Sequence, residues 1–349
     1  MTAPAKHNMK YRYLGNSGLL VSTLSFGSWV TFDGNFGTDD AYDIMAKAYQ
    51  SGVNFFDNAE WYALGKSETI AGEIIQRGIQ NGVWTREDLV LSTKIFMGTK
   101  ENAGPNDQGL GRKHIIEGTK ASLKRMQLDY VDVVFCHRPE SSTPIEETVR
   151  AMNFVIEQGW AFYWGTSEWK SGDIIEACEI ADRLGLIRPI VEQPQYHILE
   201  RSRVEFDYVN LYKKYKLGLT TWSPLASGIL TGKYSQGIPE GSRLETAWIA
   251  AMIPDIEIRA KKADQIKTIA DELGCSLSQL AIAWCASNRN VSTVMLGASS
   301  IHQLEENLKA NEFIDKITPE VKTRIDEIAQ FVPTLLENDA FSNLRAKHL

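Results

Sequence analysis

The chain has almost nothing of what marks several large protein classes. Four cysteines in 349 residues, Cys136, Cys178, Cys275 and Cys285, form no CxxC pair. They predict free thiols in a reducing compartment rather than a disulfide framework. No run of about 18 apolar residues occurs, and the N-terminal MTAPAKHNMKYRYLG has no apolar stretch of the secretory kind. The expectation is a soluble, cytoplasmic protein that does not insert into a membrane. No basic block breaks a net charge of −7, which argues against a nucleic-acid partner. The six histidines show no HxxxH spacing, so no metal site is expected. GxGxxG after a strand and GxSxG are both missing. Gly65-Lys66-Ser67 resembles the end of a P-loop, but Glu60 stands where the upstream glycine is required.

What the chain does have is alternation of two kinds of segment. A hairpin is expected first, YRYLG (11–15) and LLVS (19–22), turning at Asn16-Ser17-Gly18. Apolar runs then alternate with amphipathic helices: LSFGSW (24–29), NFFDNA (54–59), LVLSTKI (89–95), VDVVFCH (131–137), AFYWGTS (161–167), PIVEQPQY (189–196), LGLTTWSPL (217–225) and TVMLGAS (293–299). The helices are expected at 39–50, from 67, and over 115–126. The next opens at Thr143-Pro144, and others follow at 172–184, 204–215, 257–273, 277–287 and 301–310. Near-continuous apolar strands, each followed by a helix, indicate a parallel sheet covered on both faces, and eight such units predict a closed (β/α)₈ barrel of the TIM type. A long loop, 226–256, follows strand seven. A C-terminal helix (319–331) and a polar, loose tail (332–349) follow strand eight. One domain spanning 1–349, with its core at about 10–331, is the expected organisation.

In such a barrel, chemistry gathers at the C-terminal ends of the strands. Polar residues expected there are Asp57, Lys94, His137 with Arg138, Ser167, Glu168, Glu192, Gln193, Ser223 and Ser299, with Tyr62 just beyond Asp57. Lys94 admits two readings. It is either a strand-end lysine reaching solvent, or a buried cation paired with Asp57 on the adjacent strand. In the second, its charge favours phenolate at Tyr62 and lowers the pKa of a proton donor. His137 is either a structural hydrogen-bonding residue or a third member of that group. The Ser- and Gly-rich TTWSPLASG and MLGASS segments are either ordinary loops or phosphate cradles.

The runs FFDNAEWYALGKSE, STKIF, YVDVVFCHRP, YWGTSEW, VEQPQYH, TTWSPLASGILTGKY, LAIAWCASN and LGASSIHQLEENL, in this order over about residues 10–330, resemble the aldo-keto reductase superfamily. DYVDVVF, TPIEETVRAMN and AFYWGTSEW resemble in particular its branch of potassium channel β subunits and their plant and fungal relatives. The resemblance implies NADPH-dependent reduction of aldehydes or ketones by a tetrad of Asp57, Tyr62, Lys94 and His137, with Tyr62 as proton donor. It implies NADP(H) bound without a Rossmann fold. Ser167 and Gln193 would hold the carboxamide, and Trp222 would stack on the nicotinamide. Ser223, Leu225, Ser227 and Lys233 would contact the pyrophosphate. Arg243, Ser299, Gln303, Glu306 and Asn307 would hold the adenosine end, with Arg243, Ser299 and Gln303 at the 2′-phosphate. Ser28, Trp29, Asn35, Asp57, Glu168, Pro224, Ala226 and Gly297 complete the implied cofactor set. Trp29, Trp61, Tyr62, His137 and Trp164 would line the substrate pocket. The resemblance also implies a homotetramer and, as an alternative role, a cytoplasmic β subunit of a voltage-gated potassium channel that uses NADP(H) as a redox reporter. Two departures stand out. Animal channel β subunits have asparagine at the position of His137, and Gly241 replaces an aromatic residue of the cofactor loop.

Overall fold

The computed structural model describes residues 7–29, 37–251, 253, 255–334 and 339–348. An antiparallel hairpin, β1 (Tyr11–Tyr13) and β2 (Leu20–Ser22), precedes eight parallel strands. These are β3 (Leu24–Gly27), β4 (Phe55–Asp57), β5 (Val90–Ile95), β6 (Val131–Cys136), β7 (Ala161–Ser167), β8 (Val191–Gln193), β9 (Gly218–Thr221) and β10 (Val291–Leu296). They pair in chain order, and the barrel closes where Leu24 of β3 registers with Val294 of β10. Helices α1 (Thr38–Gln50), α2 (Lys66–Gln80), α3 (Arg112–Met126), α4 (Ile145–Glu157), α5 (Ser171–Leu184) and α6 (Val209–Tyr215) return the chain between successive strands. Between β9 and β10 run α7 (Ala247–Ala251), α8 (Ile256–Leu273) and α9 (Leu277–Ala286), and α10 (Ile301–Leu308) and α11 (Pro319–Ala329) follow β10. The fold is the (β/α)₈ barrel with an N-terminal hairpin that the alternation predicted.

Strand periodicity divides the core into an inside and an outside. Phe55, Val90, Val133, Phe135, Val191 and Met295 point inward and pack together, and the hairpin residues Leu14 and Val21 join them. Their sequence neighbours Phe56, Leu91, Val134 and Cys136 point outward against the helices. The hairpin thus stops the lower end of the barrel. Its seat requires Gly15, because a Cβ there would lie 2.1 Å from the carbonyl oxygen of Ile190, at φ 58°. Each of these fully buried side chains contributes about 1.5–3 kcal/mol through area removed from water.

Several boundaries differ from the sequence expectation. The helix expected over 204–215 begins as a wide turn, Ser202–Asp207, in which the N–H of Tyr208 bonds the carbonyl of Arg203 at 2.9 Å. Thr143 does not cap α4; its hydroxyl donates to Glu140 at 2.7 Å, and Pro144 takes the cap position. The segment 226–256 holds short helical turns at Ala226–Thr231 and Arg243–Glu245, together with α7. The tail is not loose over 339–348. Arg345 pairs with the buried Glu140, the N–H of Ser141 bonds the carbonyl of Ser342 at 3.1 Å, and Asp339 lies 3.7 Å from Arg138. A polar segment can dock this way because paired charges, which hydropathy counts against burial, supply the contact.

Glu192 of β8 points outward into the helix layer, fully buried, accepting from Thr166 and, at 3.3 Å, from Tyr208. Burial pushes its carboxyl up to about 8 from the ordinary 4.5, against the hydrogen bond from Thr166 and with the help of nearby Glu168. The folded chain keeps a proton there that the unfolded chain releases, so stability is lost as pH rises from 4.5 toward 8. Glu192→Gln is therefore expected to stabilise the fold by about 1–3 kcal/mol near pH 8 and hardly at all near pH 4. Thermal unfolding across that range checks this; a gain independent of pH would show that the carboxyl is not held protonated.

Candidate active site

The alternation that points Val90 inward also points Ser92 and Lys94 inward on β5. Lys94 is fully buried. Its ammonium donates to the carboxylate of Asp57, to the carbonyl of Asn58 at 2.9 Å and to the hydroxyl of Tyr62 at 2.8 Å. The other Asp57 oxygen accepts the Ser92 hydroxyl at 2.7 Å and the Gln193 amide at 3.3 Å. Burial alone would lower the lysine pKa, but Asp57 and then Tyr62 pull the other way, and the net direction is upward. Lys94 therefore stays charged, which settles its two readings in favour of the buried ion pair.

Tyr62 opens a short turn in which Ala63 (φ 49°), Leu64 (φ 52°) and Gly65 (φ 88°) are successively left-handed. Two non-glycine residues in that region cost about 1–3 kcal/mol each, held by the surrounding structure. The side chain of Asn58 secures the turn by donating to the carbonyl of Ser67 at 3.1 Å. The pKa of Tyr62 is raised, contrary to the expectation. Burial of the phenol is the largest influence, and the charge of Lys94 offsets it only in part while Asp57 adds to it. Tyr62 is accordingly a protonated phenol whose acidity is greater than burial without Lys94 would allow.

His137 follows β6 on the inward side. Its ring meets that of Tyr62 edge-on at 5.7 Å. Burial, with Arg138 and Lys94 adding positive charge nearby, holds its pKa well below 6.5, so the imidazole is neutral. Its Nδ1 is buried and has no hydrogen-bond partner among the described residues. Asp57, Tyr62, Lys94 and His137 thus converge from three strand ends.

The remaining candidates spread around the same mouth. Ser167 donates to the carbonyl of Gln193 at 2.8 Å, and Ser28 to that of Asp57 at 3.0 Å. Trp29 is 42% exposed, 6.5 Å from the Tyr62 ring, and Trp61 is 37% exposed. After β9, Trp222 and the run Ser223, Pro224, Leu225, Ala226 and Ser227 include left-handed residues at Ser223 (φ 60°), Ala226 (φ 49°) and Ser227 (φ 55°), followed by Gly228. Turns of this kind can present backbone N–H groups to an anion; here those of Ala226 and Gly228 are bonded within the run, to the carbonyls of Ser223 and Leu225 at 2.9 Å. Lys233 follows the run. Arg243 reaches 5.8 Å from the Trp29 ring, and burial lowers its pKa while no carboxylate among the described residues pairs with it. Past β10, Gly297 and Ser299 are exposed. The Ser299 hydroxyl donates to Gln303 at 3.0 Å. Glu306 accepts from Gln279, and Asn307 is buried with a side-chain N–H₂ that has no partner among the described residues. A guanidinium with no counter-ion among the described residues, and a buried amide with no acceptor among them, are donors fitted to an anionic, hydrogen-bonding cofactor. Asn35 lies outside the described residues.

Trp164 does not join this group. On β7 the alternation that turns Ser167 inward turns Trp164 outward, where it is fully buried under the helices with its indole N–H on the carbonyl of Ile187 at 2.8 Å. The expectation that it lines the substrate pocket is corrected. Arg203, which pairs with Glu168 at 2.9 Å, was not anticipated, because 35 positions separate the two and no local pattern links them. Among the described residues, no group of three or more His, Cys, Asp or Glu side chains could hold a metal ion, and no helix is long and apolar enough to cross a membrane.

The closed parallel barrel thus gathers Asp57, Tyr62, Lys94 and His137 at its C-terminal mouth. Residues 23–330 match the model of the aldo/keto reductase family, and the chain is a member of that family. It is 55% identical over 328 residues to a probable voltage-gated potassium channel subunit beta of Arabidopsis thaliana, covering 93% of this chain and 98% of the relative. It is 52% identical over 333 residues to a protein of the same description from Oryza sativa subsp. japonica, covering 95% and 99%. Membership sets the functional class as oxidoreductase, in a family that generally binds NAD(P)H.

Proposed function

We propose that this chain is an NADPH-dependent reductase of aldehydes and ketones, with Tyr62 as the proton donor. The observation that carries the reading is the Tyr62 hydroxyl 2.8 Å from an ammonium that is itself bound to the buried Asp57. NADPH, when bound, supplies the hydride that the carbonyl carbon receives. Tyr62 gives its proton to the carbonyl oxygen, and the phenolate left behind lies beside Lys94, which stabilises it until solvent returns the proton. His137, neutral, donates a hydrogen bond to the same oxygen and orients it. Trp29 and Trp61 offer apolar walls that favour aromatic aldehydes.

The residues fitted to the cofactor divide by chemistry. Ser167 and Gln193 hold the carboxamide, and Trp222 stacks on the nicotinamide. The left-handed run at Ser223–Ser227, with Lys233, takes the pyrophosphate. Arg243, Ser299 and Gln303 take the 2′-phosphate, and Glu306 and Asn307 the adenosine. Arg243→Ala is expected to weaken NADPH by about 10–100-fold, the worth of a charge-assisted hydrogen bond, and NADH only slightly. Titration of both nucleotides checks this; equal weakening removes Arg243 from the 2′-phosphate.

The names of the two relatives support a second role for the same barrel, as a β subunit of a voltage-gated potassium channel; a cytoplasmic location and a homotetramer are part of that proposal. NADPH oxidation with p-nitrobenzaldehyde separates the roles. Turnover establishes the reductase. NADPH binding without turnover, together with co-purification of a channel, supports the subunit alone.

A further inference from the structure

At the end of β7 the backbone of Glu168 turns left-handed (φ 60°), an uncommon conformation for a residue with a Cβ. The side chain then spans the ends of β8 and β9. One carboxylate oxygen accepts the indole N–H of Trp222 at 3.0 Å and the backbone N–H of Gln195 at 2.6 Å. The other accepts Nε of Arg203 at 2.9 Å, and Arg203 also donates to the carbonyl of Trp169 at 3.2 Å. The ion pair is largely shielded, with side-chain exposures of 12% for Arg203 and 11% for Glu168.

Trp222 is held on its other sides as well. Its N–H bonds the carbonyl of Pro194 at 3.1 Å, its carbonyl accepts from Tyr196 at 3.2 Å, and its side chain packs against the inward-facing cluster of the barrel. The hydrogen bond to Glu168 fixes the one freedom that packing leaves a half-buried indole, rotation about its bond to Cβ. A carboxylate already engaged by three protein donors has little to offer a cofactor directly, and its charge opposes that of phosphates. Its geometry serves the indole instead.

We propose that Glu168, balanced by Arg203, is a positioning residue that sets the plane of Trp222 against which the nicotinamide of NADPH stacks. The inference rests on the NADPH reading above and assigns Glu168 a part in it other than direct contact. Without Glu168 the indole samples other rotamers, and each cofactor that binds must reorder it.

The test is a double-mutant cycle read by NADPH binding, followed through energy transfer from tryptophan to bound NADPH, and by turnover of p-nitrobenzaldehyde. Glu168→Ala and Trp222→Phe, the second of which keeps a ring but has no N–H, are each expected to weaken NADPH about tenfold. The double variant is expected to be no weaker than either, because both remove the same interaction. Glu168→Gln keeps an acceptor oxygen for both N–H donors and is expected to recover most of the affinity, which a role confined to stability would not require. Thermal unfolding of each variant reports folding separately, and Trp222→Phe examines the same bond with the Glu168–Arg203 pair left in place. Multiplying effects in the double variant, or unchanged binding in Glu168→Ala, would overturn the positioning role alone. Failure of the wild-type protein to bind NADPH would overturn the cofactor reading and this role with it.

Discussion

Replacing Tyr62 by Phe is expected to lower kcat by about 10²–10⁴-fold while NADPH affinity stays within about twofold of wild type. The substitution removes one oxygen. Lys94 loses an acceptor at 2.8 Å but keeps Asp57 and the carbonyl of Asn58, so the buried charge stays compensated. The ring still meets His137 edge-on, and the left-handed turn behind it is unaltered. What disappears is the hydroxyl whose proton would pass to the substrate and whose oxygen accepts from the ammonium that would stabilise the phenolate. Single-turnover oxidation of NADPH with p-nitrobenzaldehyde isolates the chemical step from product release. A variant that retains activity within about threefold would mean that another group protonates the oxygen, and the role of Tyr62 would fall.

Much of this was legible in the sequence because two periodicities alternate with so little interruption. A strand buried on both faces reads as an apolar run, so the charge of Lys94 within LVLSTKI stood out, and its partner could be sought on the adjacent strand. The same period of two, followed strictly, would have placed Trp164 outside. Ser167 and Trp164 are an odd number of residues apart, so they cannot share a face of β7. The direction of the Tyr62 pKa was illegible for a different reason. Sequence reveals which charge will stand beside a phenol but not how deeply the phenol is buried, and here burial outweighs Lys94. The pairing of Glu168 with Arg203 was illegible because a single left-handed residue and a contact across 35 positions leave no periodic trace. The docked tail was misread because hydropathy counts Arg345 and Asp339 as solvated, whereas Glu140 and Arg138 await them on the barrel.

Lys94→Met is expected to be the most damaging single substitution in the molecule, for stability as well as for activity. Methionine fills the space of the lysine stem but leaves Asp57, 5% exposed, with the Ser92 hydroxyl and the Gln193 amide as its remaining side-chain partners among the described residues. Breaking a buried ion pair on one side costs about 3–5 kcal/mol, because an uncompensated charge remains. Adding Asp57→Asn removes the stranded charge. The double variant is expected to recover much of the stability while remaining inactive, since no cation is left to hold the Tyr62 phenolate. Urea unfolding of the two variants distinguishes the contributions. If Lys94→Met alone proves as stable as wild type, then Asp57 is not held as a charged partner, and the electrostatic account of the whole site must be redrawn.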